Sequence, residues 1–279
     1  MNEDIKPEIK KYHALTLDPI HVGTGGMRLG RVDLPIIREP GTNLPKIPGT
    51  TISGCARYAS SIVHGKTGNQ SCAGSGGESG KNHCGKVNPA CEICIPFGFS
   101  KGSGGSMQGL AQFFDAHITL FPVASMMGPI WVSTGSILNY LGVKSPDLSK
   151  IEGYYPLGDL VKDKEKLNLG WLLLEKCKPQ GQETVKLGDL KGWLPMIICD
   201  RIVLVSDTLF SHVVNSNLEV RTSISIDPVT GAAEYGALFT YEAIPRSTVL
   251  SHDIVYNAGT SFKINGQDLK IESGDPVTR

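Results

Sequence analysis

Along the 279-residue chain the spacing of apolar positions changes period several times, and each change marks an element. Residues 12–17 alternate and are rich in β formers, which predicts a strand feeding a glycine-rich loop. After a proline-broken run, "TTISGCARYASSIVHG" puts Ile52, Cys55, Ala56, Ala59, Ile62 and Val63 on one helical face, with Thr50 or Thr51 as the cap. Residues 65–109 carry almost no apolar period and read as an insertion. "LAQFFDAHITLFPVA" then reads as one long buried strand. Weaker helix signals surround Leu160, and a charged loop is expected over 176–186. "MIICDRIVLVSD" predicts a further strand, after which Asp207 caps the short helix "TLFSHVV". Two alternating runs in "EVRTSISIDPVTGAAEYGALFTYEAIP" are joined by Asp-Pro-Val-Thr-Gly, a hairpin signal, and "SFKINGQDLKIESGDPVTR" reads as another hairpin with an Asn-Gly turn. The sum predicts an α+β sheet domain with insertions and no internal repeat.

Composition adds two limits. A formal net charge of zero excludes a bulk polycation, so any contact with nucleic acid must come from a local patch. The 33 glycines and 17 prolines point to many loops, where binding and catalysis concentrate. The opening "MNEDIKPEIKK" lacks the apolar core of a secretory leader, and no run of about 18 apolar residues offers a membrane span. A cytoplasmic protein with no membrane partner is expected.

Seven cysteines in a reducing compartment read as metal ligands better than as disulfides. Cys91 and Cys94 form a C-x-x-C pair, and Cys72 and Cys84 lie upstream in the same insertion. Four thiolates close a tetrahedral zinc shell that orders a loop too small to have its own core. His83 is a substitute ligand for Cys84, and Cys55, Cys177 and Cys199 are expected to be packing residues. A closed site of this type is structural.

"HVGTGGMRLGRVDLPI" holds glycines that let backbone amides approach phosphate oxygens, but it matches neither a P-loop nor a dinucleotide-binding turn. The helix start at "IPGTTISG" would offer N–H groups to an anion, and Arg28, Arg31, Arg38, Lys46 and Arg57 make a local basic patch. Asp33, ionised at neutral pH, is able to bind a metal or accept a proton, or it is simply a loop salt bridge. His21 is either an acid, an RNA contact or a strand-end histidine bonded to backbone. His13, His117, His212 and His252 sit in strand or helix patterns and are assigned no chemistry.

Taken in order, "LDPIHVGTGG…LGRVDLPIIREPGTNLPKIPGTTISG…R" resembles the N-terminal signature of the RAMP superfamily, RNA-binding proteins that form the backbone of type III CRISPR effector complexes. "LFPVASMMGPIWVST", "VSDTLFSHVV" and the hairpin run resemble the backbone subunit of the type III-B (Cmr) complex rather than its type III-A (Csm) counterpart. The resemblance implies a modified RNA-recognition-motif (ferredoxin-like) palm over residues 1–279, with the zinc-binding insertion at 65–109 and a helix and β-hairpin thumb at 206–245. It implies copies polymerised along a guide RNA beside other effector subunits, each cutting guide-paired target RNA at a regular interval in antiviral defence. The aspartate of the family's G-x-V/I-D-x-P element, required for cutting, falls on Asp33, as general base or Mg²⁺ ligand. RNA contacts fall on His21, Gly23, Thr24, Gly25, Gly26, Arg28, Arg38, Lys46, Thr51, Ser53, Arg57 and Arg221. Two departures stand out: Ser53 replaces the usual lysine, and "SGDPVTR" lacks the family's glycine-rich terminal element. A non-cleaving scaffold and a histidine-dependent repeat-processing RNase are the competing functions.

Overall fold

The computed structural model describes residues 7–25, 32–67, 72, 84, 90–100, 106–148, 152–177, 190, 192–234, 237–257, 263–264 and 267–268. Its strands are β1 (Glu8–Leu15), β2 (Lys46–Ile47), β3 (Gly98–Ser100), β4 (Ser106–Gln108), β5 (Ala111–Phe113), β6 (Ala116–Val123) and β7 (Ile130–Thr134). They continue with β8 (Tyr155–Pro156), β9 (Lys166–Leu169), β10 (Leu172–Glu175), β11 (Ile202–Val205), β12 (Glu219–Ser223), β13 (Phe239–Ala243) and β14 (Val249–Tyr256). The helices are α1 (Gly49–Val63), α2 (Cys94–Phe97), α3 (Gly135–Tyr140), α4 (Met196–Cys199) and α5 (Asp207–Ser216). This is the expected α+β class. The chain divides into two compact units, Met1–Tyr12 with Ile47–Ala116 and His252–Arg279, and His13–Lys46 with His117–Ser251.

In the second of these units, β6 pairs antiparallel with β7, β7 parallel with β11, and β11 antiparallel with β8. β11 is wholly buried because both of its faces are covered, which explains its unbroken Ile-Val-Leu-Val run. Leu120, Trp131, Leu138, Ile198, Ile202 and Leu204 belong to one core cluster there. The expected hairpin is present: β12 pairs antiparallel with β13 from Glu219↔Ala243 to Ser223↔Phe239. Its turn is built by Asp227, whose carboxylate accepts from Val229 N and Thr230 Oγ1, and by Gly231 at φ +66°. Lys263–Ile264 pairs with Gln267–Asp268, as the second hairpin requires.

Several expectations are corrected. "MIICDRIVLVSD" is not one strand: Pro195 starts the four-residue α4, and only Ile202–Val205 is extended. Ile198 and Cys199 are buried while Met196 and Ile197 face out, a pattern that a short apolar run does not reveal. α5 is capped by Ser206, whose Oγ accepts from Leu209 N, and Asp207 is the first helical residue. The signals near Leu160 give a 3₁₀ turn, Asp159–Val161. Most of the charged loop at 176–186 lies outside the described residues.

In the other unit, α1 begins after Pro48 without a side-chain cap of its own. Asp115 does this work: its Oδ1 accepts from Gly49 N at 2.8 Å. The same residue lies in the two-residue gap that interrupts the predicted long strand between β5 and β6. The apolar face predicted for α1 is largely outward, with Ile62 56% and Val63 80% exposed and Cys55 exposed as well. Among the described residues no helix is long and apolar enough to cross a membrane.

Candidate functional site

Residues 20–25 and 32–38 carry short bridges, several of them to the hairpin and its C-terminal continuation. Ile20 bridges Ile244, Gly23 bridges Ile36, and Leu34 bridges Tyr241. Leu34 N donates to Thr240 O, and Glu242 N donates to Leu34 O. These bonds carry Asp33 to β13. Asp33 Oδ2 accepts from Thr240 N at 2.7 Å and from Thr240 Oγ1 at 2.9 Å, while Asp33 N donates to Thr240 Oγ1 at 3.1 Å. Oδ1 has no hydrogen-bond partner among the described residues. The Thr240 N–H, followed by its hydroxyl, holds the carboxyl below its ordinary value, because both bonds favour the charged form.

The neighbouring polar groups brace this ribbon. Glu242 Oε2 accepts from Ile36 N and from Arg38 Nη2 at 2.9 Å, and Arg38 also donates to Asn215 Oδ1 and Ile36 O. The Arg38 and Glu242 side chains are 21% and 12% exposed, so this is a largely desolvated pair. Lys46 pairs with Glu39 at 2.7 Å. His21 Nδ1 lies 2.6 Å from Glu242 O, which fixes the donor proton on Nδ1, and its ring meets Tyr241 edge-on. That is the backbone-bonded strand-end reading of His21. A Cβ at Gly23 would come within 3.0 Å of His21 Nε2, so the first glycine makes room for the ring. Thr24 and Gly25 are exposed, with Gly25 at φ +75°. Gly26, Arg28 and His83 lie outside the described residues.

In the other unit, the cysteine cluster assembles as expected. The sulfurs of Cys72, Cys84, Cys91 and Cys94 all lie within 4.8 Å of one another, a group able to hold a metal ion. Cys84–Cys94 and Cys72–Cys91 are both 3.8 Å apart, and a tetrahedron with bonds of about 2.3 Å has edges of about 3.8 Å. None of the cysteines is in a disulfide. Hydrogen bonding from the Cys94 thiol, with its N–H adding to it, brings the Cys91 thiol down to about 4, the thiolate form a metal needs. Lys66 Nζ reaches Cys91 Sγ at 3.5 Å and pairs with Glu92.

Here α1 supplies support. Arg57 donates twice to Cys72 O, at 3.0 and 2.7 Å, and once to Gly98 O at 2.9 Å, clamping the metal loop. Thr51 N bonds Pro48 O, and Gly49 N bonds Asp115, so the start of α1 already holds a carboxylate of its own chain. An open groove along the helix is lined by Ser53, Gly54, Arg57, Gln112 and Phe114. On the hairpin, Arg221 is exposed and 3.4 Å from Glu219. Sequence reasoning missed Thr240, Glu242, Asn215 and Lys66. Only Glu242 carried a signal, as a charge inside an alternating strand.

Residues 13–272 match the RAMP superfamily, and the chain belongs to that family. Its particular kinship is with type III-B Cmr proteins. It is 26% identical to the CRISPR system Cmr endoribonuclease Cmr4 of Pyrococcus furiosus, over 94% of this chain and 90% of that one. The CRISPR system Cms endoribonuclease Csm3 of Methanothermobacter thermautotrophicus is 35% identical, but over only 31% of each chain. The fold is shared with a chain in a type III-B Cmr-beta complex bound to cognate target RNA, at TM-score 0.63, 15% identity and coverage of 90% and 85%. Oligomeric Cmr4 from Pyrococcus furiosus aligns at TM-score 0.55 and 19% identity, covering 92% and 84%.

Proposed function

We propose that the chain is the guide-RNA-binding backbone subunit of a type III-B CRISPR ribonucleoprotein and cuts guide-paired target RNA, with Asp33 as the residue that acts. The kinship with an endoribonuclease over nearly the whole chain supports the class of activity. The observation that carries the site is the Asp33 carboxylate itself: half-exposed, tied through Oδ2 to Thr240, with no partner for Oδ1 among the described residues.

Cutting RNA with its own 2′-hydroxyl requires that oxygen to lie in line with the phosphorus and the leaving 5′-oxygen, which A-form geometry forbids. The β12–β13 hairpin, as a thumb over 206–245, displaces a nucleotide and frees the bond to rotate. Asp33 is held below the usual carboxylate range, so it is a poor proton acceptor and a permanent negative charge at neutral pH. Charge is therefore its contribution. One free carboxylate oxygen is the kind of protein ligand Mg²⁺ uses when substrate phosphate and water complete its shell. Held by Asp33, Mg²⁺ would neutralise charge on the phosphate and leaving oxygen. His21, Gly23, Thr24, Gly25, Thr51, Ser53 and Arg221 are the RNA contacts this reading assigns among the described residues, and Gly26 and Arg28 are assigned with them. Arg38, Lys46 and Arg57 are committed to internal partners and act on RNA through what they hold in place. The cysteine centre holds Zn²⁺ and orders the 65–109 insertion. Such a particle works in the cytoplasm, with guide RNA, target RNA, further copies of this chain and other effector subunits as partners.

The deciding experiment assembles the particle with its guide RNA and follows complementary RNA with and without Mg²⁺. Wild type should give fragments at a regular interval and Asp33→Ala none, with target binding unchanged. A wild-type particle that binds target in Mg²⁺ and yields no fragments would establish the scaffold function instead.

A further inference from the structure

Two groups of one residue meet the Asp33 carboxylate. Thr240 N and Thr240 Oγ1 both donate to Oδ2, at 2.7 and 2.9 Å. The hydroxyl also accepts from Asp33 N at 3.1 Å. The directions are fixed by the partners: the ionised carboxylate can only accept, so the hydroxyl proton points to Oδ2, and the Asp33 amide can only donate, so one of the two oxygen lone pairs receives it. The result is a closed ring of bonds that sets the side-chain torsion of Asp33 through a residue 207 positions away.

We infer that Thr240 is the positioning residue of the Asp33 carboxylate, holding Oδ2 so that Oδ1 is the oxygen presented to the RNA. The inference rests on the cutting role proposed for Asp33, and it adds a mechanical consequence. Thr240 is part of β13, paired with Thr222 across the hairpin, so any bending of the hairpin by displaced RNA is passed to the carboxylate. Serine at this position keeps the hydroxyl. Valine keeps the β-branched shape and the backbone N–H but removes the one bond that cycles between side chain and amide.

The test has three arms. In the assembled particle, Thr240→Val should slow cutting at saturating target on the order of 10- to 100-fold, the scale of an ångström's misplacement, with target affinity unchanged. Thr240→Ser should recover to within about threefold of wild type, which a lost packing contact would not. In the purified full chain, the melting shifts of Asp33→Ala and Thr240→Val should be non-additive, because each removes the same bond. Valine cutting within about twofold of wild type, or serine as slow as valine, overturns the inference while Asp33→Ala stays inactive. An Asp33→Ala particle that still cuts overturns the cutting role instead. The melting cycle then decides separately whether Thr240 holds the carboxylate, and additive shifts would show that it does not.

Discussion

Around Cys91 and Cys94 the chemistry is buried and self-sufficient, whereas around Asp33 it is half-exposed and borrowed. Cys72, Cys91 and Cys94 are 3%, 2% and 0% exposed and form the centre of a small apolar cluster with Ile93, Ile95, Phe99 and Met107. Remove the sulfurs, and that cluster has little else to close it. Asp33 is only partly buried, and its neighbours are bonded to one another whether or not its carboxylate is there: Leu34 to Thr240 O, and Ile36 and Arg38 to Glu242. The contrast separates two kinds of indispensable residue. One kind is required for the fold to exist, the other only for the fold to act.

The largest effect expected is loss of the metal. Structural zinc in thiolate sites supplies about 10–16 kcal/mol of apparent folding free energy, so a strong chelator, or Cys94→Ser, should unfold the 65–109 insertion and lower Tm sharply. Metal analysis of the purified chain should return close to one equivalent of zinc. A chain that melts identically with and without chelator would put the two regions on the same footing and end the contrast.

Asp33→Ala should be the opposite kind of variant. Cutting should fall by about 10²–10⁴-fold, the usual range for loss of a positioned acid–base or charged group, while melting falls only by the small, measurable step of losing the Thr240 bonds. The pH dependence sharpens this. Because the folded carboxyl lies below its ordinary value of 3.8, the stability that the Thr240 bonds add is present above that value and is lost only as pH falls through the lower folded one. From pH 5 to 8, therefore, the melting difference between wild type and Asp33→Asn should be flat. A difference that fades between pH 7 and 5 would mean the carboxyl is raised rather than lowered, and that Asp33 is placed to take a proton.

What could be read from the sequence follows the same division. The cysteine cluster was legible because its members are rare residues at local spacing, and the four sulfurs do converge into a group able to hold a metal ion. Asp33 was legible only through a family motif, since its holder lies on a strand far along the chain and threonine in a β-rich run carries no signal. The basic patch shows what a count of cations leaves out. Arg38, Lys46 and Arg57 are each bonded within the chain, to Glu242, Glu39 and the Cys72 carbonyl, and sequence spacing reveals none of those partners. The α+β class and the hairpin followed from period and turn chemistry, while β11 was legible only as part of a longer strand that the structure splits. The misread helix start traces to Asp115, a cap supplied from outside the helix.

Gly49 extends the contrast to a residue that sits in the family signature yet serves packing. A Cβ there would lie 2.1 Å from Phe113 O, a backbone atom that cannot swing aside. Gly49→Ala should therefore cost about 3 kcal/mol in unfolding free energy, read by denaturant titration. RNA binding by the fraction still folded should be unchanged. If affinity falls while stability holds, the glycine belongs with the RNA-facing residues instead.

The smallest effect is expected at Arg221. Its side chain is 45% exposed and its contact with Glu219 is 3.4 Å, an ion pair worth at most about 0.5 kcal/mol. Arg221→Ala should leave melting unchanged. If the guanidinium meets a phosphate, however, the slope of log affinity against log salt should fall by about 0.7, the counterion release of one contact on a single strand. The measurement compares guide-RNA binding by wild type and variant across a salt series, so a uniform loss of affinity with an unaltered slope would count against a phosphate contact. That outcome would leave the hairpin with a steric role alone, carried by its exposed Ile226 and Val229, and would confine the charge that meets RNA to the glycine loop and Asp33.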